Sequence, residues 1–376
     1  MVHTLADVLP SVGSSFDLAG PNLLGVEPNR DVVVLLIDGL GAELVARHAE
    51  IAPTLNSRVG HVLQAGFPAT TATSLASLAV GAPCAVHGVV GYSFAVPQPD
   101  GPRTLNALRW TFDTAQGSDA RDTVDPASTQ PSRSRLQAMA EQGVEIHYVV
   151  PGYQARSGLT RAAFRATGVV HPAATLDELR DGILAVARHD GPGRRFAYAY
   201  YPDLDMNGHI HGPESPEWLT VLADVDRFVA DLFTDLPSTC TLLITGDHGM
   251  ISAGTIIDLD AAPDLHRGVR QIAGEARVRH VYLNDRAALD DVAEAWRGVL
   301  GSHARVVTRE QAFDDQWFGS AVPTADIAAR IGDVIAVAEG DTVLVRPAAE
   351  PMESTMRGHH GAWTADEQLV PLVTNR

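Results

Sequence analysis

Four short clusters of acidic and histidine side chains recur along the chain, most of them just after a run of apolar residues. Asp38 follows Val32-Val-Val-Leu-Leu-Ile37. Asp205 and His209 lie in Asp203-Leu-Asp-Met-Asn-Gly-His209, downstream of Phe196–Tyr201. Asp247 and His248 follow Thr241–Thr245, and His360 sits in Arg357-Gly-His-His-Gly361 near the C-terminus. Carboxylate oxygens and neutral imidazole nitrogens ligate hard to borderline divalent ions, and no thiolate accompanies them. Taken singly, a strand-end aspartate is more often a helix cap or turn former. Jointly, the four clusters point to one metal centre, because open α/β sheets bind ligands outside the carboxyl ends of their strands.

A fifth segment, Phe67-Pro-Ala-Thr-Thr-Ala-Thr-Ser-Leu-Ala-Ser-Leu-Ala-Val-Gly81, crowds hydroxyl groups ahead of an apolar helix. The structural reading is a Thr or Ser helix cap. The chemical reading is a nucleophilic hydroxyl at a helix N-terminus, where free N–H groups and the dipole favour an anionic phosphoryl group. A threonine hydroxyl is a competent nucleophile at neutral pH once a metal ion stabilises its alkoxide. Spacing alone does not choose among Thr70, Thr71 and Thr73.

The elements that must position these groups alternate between strand and helix. Val32–Ile37, Glu145–Val150, Phe196–Tyr201 and Thr241–Thr245 read as strands buried on both faces. Ser74–Val80, Ser134–Glu141, Leu176–Arg188 and Glu217–Leu232 read as helices. The expectation is one α/β domain over residues 1–376, a mostly parallel sheet sandwiched between helices. Residues 97–131, rich in Pro, Gly, Ser and Asp, are expected to form long surface loops. Residues 261–347 are expected to form a smaller inserted α+β segment with strands at Val278–Leu283, Ala304–Val307 and Asp333–Val337.

In their order, these motifs resemble the alkaline phosphatase superfamily, most closely its nucleotide pyrophosphatase/phosphodiesterase branch. Asp38-Gly39 is similar to that family's strand-end metal ligand. Phe67-Pro-Ala-Thr-Thr-Ala-Thr-Ser74 is similar to its Phe-Pro-Thr-Lys-Thr-Phe-Pro-Asn segment, and that register makes Thr71 the nucleophile. Asp205-Met-Asn-Gly-His-Ile-His-Gly-Pro213, Asp247-His-Gly-Met250 and Gly358-His-His-Gly361 match three further motifs. The resemblance implies an alkaline-phosphatase-like core and two divalent ions, Zn2+ by ligand type with Mn2+ as the alternative. Asp205, His209 and His360 would hold one ion; Asp38, Asp247 and His248 would hold the other, with Thr71 beside it. The implied activity is hydrolysis of a phosphodiester or pyrophosphate bond in a small nucleotide-like substrate through a phosphothreonine. Phosphomonoester, phosphotransfer or phosphonate chemistry is the alternative on this scaffold, and an inactive ligand-binding homologue is the non-enzymatic one. Two positions depart from the family: Ser74 stands where its phosphate-binding Asn would be, and Thr70 replaces its Lys. The motif spacing assigns His211 and His359 no metal, so they are expected to support the ligands or lie at the surface. Asp203 is expected to form a turn or support a ligand, and His87 to be structural. Tyr92, Phe94 and Trp363 are candidates to stack a base or cap the pocket, with packing in the core or at the rim as the alternative.

Composition narrows the partners. The chain has 376 residues, 45% hydrophobic and 20% charged, with 28 basic residues that are all arginine against 46 acidic ones. A net charge of −18 disfavours stable binding to nucleic acid or an anionic membrane. It does not oppose a small phosphorylated substrate held by metal ions. Two cysteines cannot form a disulfide framework. No signal peptide or bilayer-length apolar run is visible, so the expected address is the cytoplasm. Oligomeric state is not legible.

Overall fold

The computed structural model describes residues 2–114, 116–189 and 191–376. Its central sheet has seven strands: β1 (Asp31–Ile37), β2 (Val59–Gln64), β3 (Glu145–Val150), β4 (Val169–Pro172), β5 (Arg195–Tyr201), β6 (Cys240–Thr245) and β7 (Leu369–Thr374). They lie in the order β2-β7-β6-β1-β5-β3-β4. The run from β6 through β4 is parallel throughout. Only β7 reverses, pairing antiparallel with β6 and β2.

The apolar run of β1 follows from its place beside β6 and β5 in the middle of this sheet. Val32, Val34 and Leu36 point into one core, under the helices Val8–Ser15 and Thr71–Val80. Val33, Leu35 and Ile37 point into the other, under Leu176–Ala187 and Pro216–Asp235. Burial on both faces leaves no place for the polar alternation of a half-solvated strand. The helices begin where cap chemistry dictates. Ser134, Thr175 and Ser215 each accept the N–H three residues on, and Pro216 occupies the first helical position.

Two regions differ from the surface-loop and insert expectations in detail. Residues 97–131 are not simply loops. Arg103–Asn106 pairs antiparallel with both Ser93–Val96 and Thr111–Phe112. Trp110 anchors that small sheet: it is fully buried, and its Nε1 donates to Val124 O at 2.8 Å. Within 261–347, four antiparallel strands run in the order Val269–Glu275, Val278–Leu283, Val334–Ala338, Ala304–Thr308. The helix Leu289–Leu300 packs on them through Trp296. The strand Val269–Glu275 escapes the sequence pattern because it is an edge strand, with Arg270 and Gln271 between its apolar residues. Among the described residues, no helix is long and apolar enough to cross a membrane.

Candidate active site

The acid and histidine clusters converge at the carboxyl ends of β1, β5 and β6. Asp38 is the first residue beyond β1. The turn that follows needs glycine twice over. Gly39 has φ 74°, and a Cβ there would stand 3.0 Å from Asp205 Cα. Asp38 and Asp205 are therefore brought together by direct backbone approach. Asp205 and His209 share one face of the helix Asp203–His211. Gly208, a poor helix former, is kept inside that helix because Met250 Sδ lies 2.4 Å from where its Cβ would be. Asp247 and His248 follow β6. A two-residue antiparallel pairing of Ile251–Ser252 with Gly358–His359 carries the C-terminal motif across to deliver His360.

Two groups of potential ligand atoms result, each within 4.8 Å of one another: Asp205, His209 and His360, and Asp38, Asp247 and His248. His209 Nε2 lies 3.3 Å from Asp205 Oδ2, and His360 Nε2 lies 3.9 Å from Asp205 Oδ1. His248 Nε2 lies 3.5 Å from Asp38 Oδ1 and 3.4 Å from Asp247 Oδ2. Each imidazole is oriented the same way. The Nδ1 of His209, His248 and His360 is held by the carbonyl of Gly358, Gly249 and Ala69, at 2.8, 2.9 and 2.9 Å. An Nδ1–H donated to a carbonyl leaves the Nε2 lone pair facing the site, the arrangement a metal-binding histidine requires.

The carboxylates carry the same signature. Asp38 Oδ1, Asp205 Oδ1 and Asp247 Oδ2 are buried with no hydrogen-bond partner. Burial, then the charges of Asp247 and Asp205, push the Asp38 carboxyl well above its usual range. For Asp205 burial acts upward as well, but His209 beside it, with His360 and His248, holds it below that range. Three carboxylates with oxygens orphaned toward one space are short of positive charge. Oxygen and imidazole donors in this number fit two divalent cations.

Thr71 is the first residue of the helix Thr71–Val80, and its Oγ1 lies 3.2 Å from His248 Nε2. No side chain caps that helix, so its leading N–H groups stay free for an anion. Thr71 is 6% exposed and Thr70 is 1% exposed, while Thr73 Oγ1 is used internally by Val89 O. Ser74 sits one turn on, with its Oγ buried and unpartnered.

The residues set aside by spacing have other employments. His87 Nε2 meets Ser77 Oγ at 3.0 Å, and His359 Nε2 meets Met356 O at 3.1 Å. The backbone carbonyl of Asp203 accepts from Asn207 Nδ2. Phe94 is fully buried, Tyr92 OH donates to Glu353, and Trp363 is half-exposed, stacked on Phe67. Tyr200, absent from the sequence reading, donates its hydroxyl to Asp38 Oδ2. Its signal was visible in the alternation Phe-Ala-Tyr-Ala-Tyr, which places Tyr198 and Tyr200 on one face of β5. The Arg277–Glu367 pair was also missed. It is fully buried and bidentate, at 2.8 Å for both bonds, and leaves no local pattern.

Residues 32–363 match the family described as type I phosphodiesterase/nucleotide pyrophosphatase. An uncharacterized pyrophosphatase/phosphodiesterase of Schizosaccharomyces pombe is 27% identical over 259 residues, covering 65% of this chain and 49% of the relative. The chain therefore spans about half the length of that relative. A bis(5'-adenosyl)-triphosphatase of Mus musculus is 36% identical over 81 residues, 19% of this chain and 18% of that one. In structure, murine ectonucleotide pyrophosphatase/phosphodiesterase 5 superposes with a TM-score of 0.69 at 17% identity, covering 91% of this chain and 87% of the other. Phosphonoacetate hydrolase of Sinorhizobium meliloti superposes with a TM-score of 0.65 at 18% identity, covering 93% and 90%. At such identities these two likenesses concern the fold, an α/β architecture of alkaline-phosphatase type. By the match over residues 32–363, the chain belongs to the type I phosphodiesterase/nucleotide pyrophosphatase family.

Proposed function

We propose that this chain hydrolyses a phosphodiester or pyrophosphate bond in a small nucleotide-like substrate, using Thr71 as nucleophile. The observation that carries the reading is the placement of the Thr71 hydroxyl. It lies at an uncapped helix N-terminus, 3.2 Å from His248 of one ligand cluster. Asp205, His209 and His360 would hold one divalent ion, and Asp38, Asp247 and His248 the other, Zn2+ fitting the donor set best and Mn2+ next. Such ions polarise a phosphoryl oxygen, favour the alkoxide of Thr71 and offset the negative charge of substrate and site.

The chain's own groups do the rest. The free N–H groups at the start of Thr71–Val80 orient the phosphoryl oxygens. Ser74 Oγ, one turn on, has a hydrogen bond to give. Thr71 Oγ1 attacks phosphorus, the bond to the leaving alcohol or phosphate breaks, and a phosphothreonine forms. Water then cleaves that ester, returning the threonine hydroxyl and releasing the phosphorylated product. The carbonyls of Ala69, Gly249 and Gly358 hold the three imidazoles in place throughout.

Two fold relatives support a small phosphorylated ligand: an inactive variant of the murine enzyme was solved with AMP, and the phosphonoacetate hydrolase with phosphonoacetate. A cytoplasmic address belongs to the same proposal and is supported by two cysteines that are free and buried. The test is the ratio of kcat/KM for bis-p-nitrophenyl phosphate to that for p-nitrophenyl phosphate, measured with metal-loaded protein. A ratio well above one supports the diester reading. A ratio well below one replaces it with a phosphomonoesterase.

A further inference from the structure

One acid beside the site has no task in this mechanism. Glu275 ends the strand Val269–Glu275 of the 261–347 segment, at the tight turn into Val278–Leu283. Its side chain leans on the loop that carries His360: a Cβ on Gly361 would stand 3.1 Å from Glu275 Cδ and 3.2 Å from its Cγ. On its other side, Thr70 sits near enough to hold the same carboxyl down against the upward push of burial. Thr70 is the N-cap residue of the nucleophile helix but makes no cap bond with its side chain. Glu275 thus packs against the residue after His360 and lies near the residue before Thr71.

Charge pairing around it is unequal. Arg277 is committed to Glu367 through two bonds of 2.8 Å. Arg279 is committed to Glu350 through bonds of 2.8 and 2.7 Å. Glu275 has no such guanidinium among the described residues, and its Oε1 is buried without any hydrogen-bond partner. The side chain as a whole nevertheless stays partly exposed, as Asp205 and His209 do. Burial pushes the carboxyl up to about 8, with Thr70 and Arg279 pulling it back, so an ammonium seated beside it would itself drive ionisation. A buried acceptor oxygen left unpaired is a costly feature for a fold to retain, and a donor arriving with a ligand would remove that cost.

We propose that Glu275 and Thr70 form a substrate subsite that receives an N–H or O–H donor, an ammonium or a hydroxyl, on the ester arm of the phosphoryl substrate. This rests on the phosphodiester reading above. It gives the inserted segment a role in choosing substrate, through a turn residue that reaches the metal-ligand loop.

Three diesters test it: p-nitrophenyl 2-aminoethyl, p-nitrophenyl 3-hydroxypropyl and p-nitrophenyl propyl phosphate. All release p-nitrophenolate; the aminoethyl and propyl arms are equal in length, and a p-nitrophenyl butyl phosphate control matches the longer hydroxypropyl arm. Wild-type protein should favour at least one donor-bearing probe over its length-matched alkyl probe by about tenfold in kcat/KM, and the favoured arm identifies the donor. Glu275→Ala should cut kcat/KM for that probe about tenfold more than for the matched alkyl probe, mainly through KM. Glu275→Gln keeps an acceptor but no charge, so it should erase an ammonium preference and keep part of a hydroxyl preference. Metal content and melting temperature equal to wild type establish that the variants are folded. Turnover without discrimination, or equal losses on all three probes, overturns the subsite alone. No turnover of any probe overturns the phosphodiester reading and the subsite with it.

Discussion

His248 and His360 belong to different ligand clusters, yet their rings stack with centroids 3.5 Å apart and planes 13° from parallel. Each ring is pinned through Nδ1 to a backbone carbonyl, so the two Nε2 atoms look into one shared space. Burial, and then His248 itself, holds His360 well below its usual range. The His360 ring is thereby favoured neutral, and neutral imidazole is the form that ligates a metal.

Protein purified without chelator should therefore contain close to two equivalents of divalent metal per chain. His360→Ala should remove most of one equivalent and most of the activity. Treatment with EDTA should abolish turnover, and Zn2+ or Mn2+ should restore it. Metal analysis near zero, with full activity kept in EDTA, would overturn the two-metal mechanism.

Thr71 is the hydroxyl that lies beside His248, whereas Thr73 donates to Val89 O. Thr71→Ala should lower kcat by about a thousandfold, or roughly 4 kcal/mol of transition-state stabilisation. Thr71→Ser should keep measurable activity because it keeps the hydroxyl. Thr73→Ala should cost far less. Acid-stable radiolabel trapped on Thr71→Ala from a labelled substrate would show that another residue is the nucleophile.

How far the sequence carried this reading depends on whether the signal was local. Asp38, Asp247 and His248 were legible because each follows a β-branched run that can only be a buried strand. Asp205 and His209 were legible from their spacing of four, although Gly208 argued against a helix there. What licenses Gly208 is Met250, a contact across the fold that no window of sequence contains. Tyr200 and the Arg277–Glu367 pair were missed for the same reason. Their partners lie 162 and 90 residues away in the chain. The small sheet within 97–131 was hidden by its Pro and Gly content, while Trp110, the residue that anchors it, stood in plain view.

Glu367 links the loops that carry His248 and His360. Its carboxylate accepts from Ala362 N at 2.9 Å and Thr364 Oγ1 at 2.6 Å, and its carbonyl accepts from Gly249 N at 2.9 Å. Arg277 supplies the buried counter-charge from the turn of the four-stranded antiparallel sheet just before Val278–Leu283. Arg277→Met leaves that carboxylate unpaired and should cost about 3–5 kcal/mol in urea unfolding. Adding Glu367→Leu removes the stranded charge and should recover part of the stability. The double variant should stay poor in kcat and in metal affinity, because the His360 loop has lost its acceptor. Wild-type kcat in the double variant would mean that the pair stabilises the fold without setting the site.

Acid stability follows from two histidines outside the metal clusters. His87 Nδ1 accepts from Val89 N at 3.2 Å, so its Nε2–H donates to Ser77 in the nucleophile helix. His280 Nδ1 accepts from Gly332 N at 3.2 Å, and its Nε2–H donates to Val90 O at 3.1 Å. Neither ring can take a second proton without losing a backbone bond. Burial, then Arg330, lowers His87 to about 3, and burial lowers His280 to about 4. Both values lie below the unfolded value of about 6.5. Between these limits the unfolded chain binds protons that the native chain refuses, so stability falls as pH drops below about 6.5. Each histidine should contribute up to about 1.4 kcal/mol per pH unit, His280 levelling off near its native value and His87 about a unit lower. Urea midpoints of EDTA-treated protein between pH 7 and 5 measure this slope free of metal loss. The His87→Gln/His280→Gln variant should start less stable at pH 7 and show a shallower slope on acidification. An unchanged slope would mean that these two rings already take up protons in the native state.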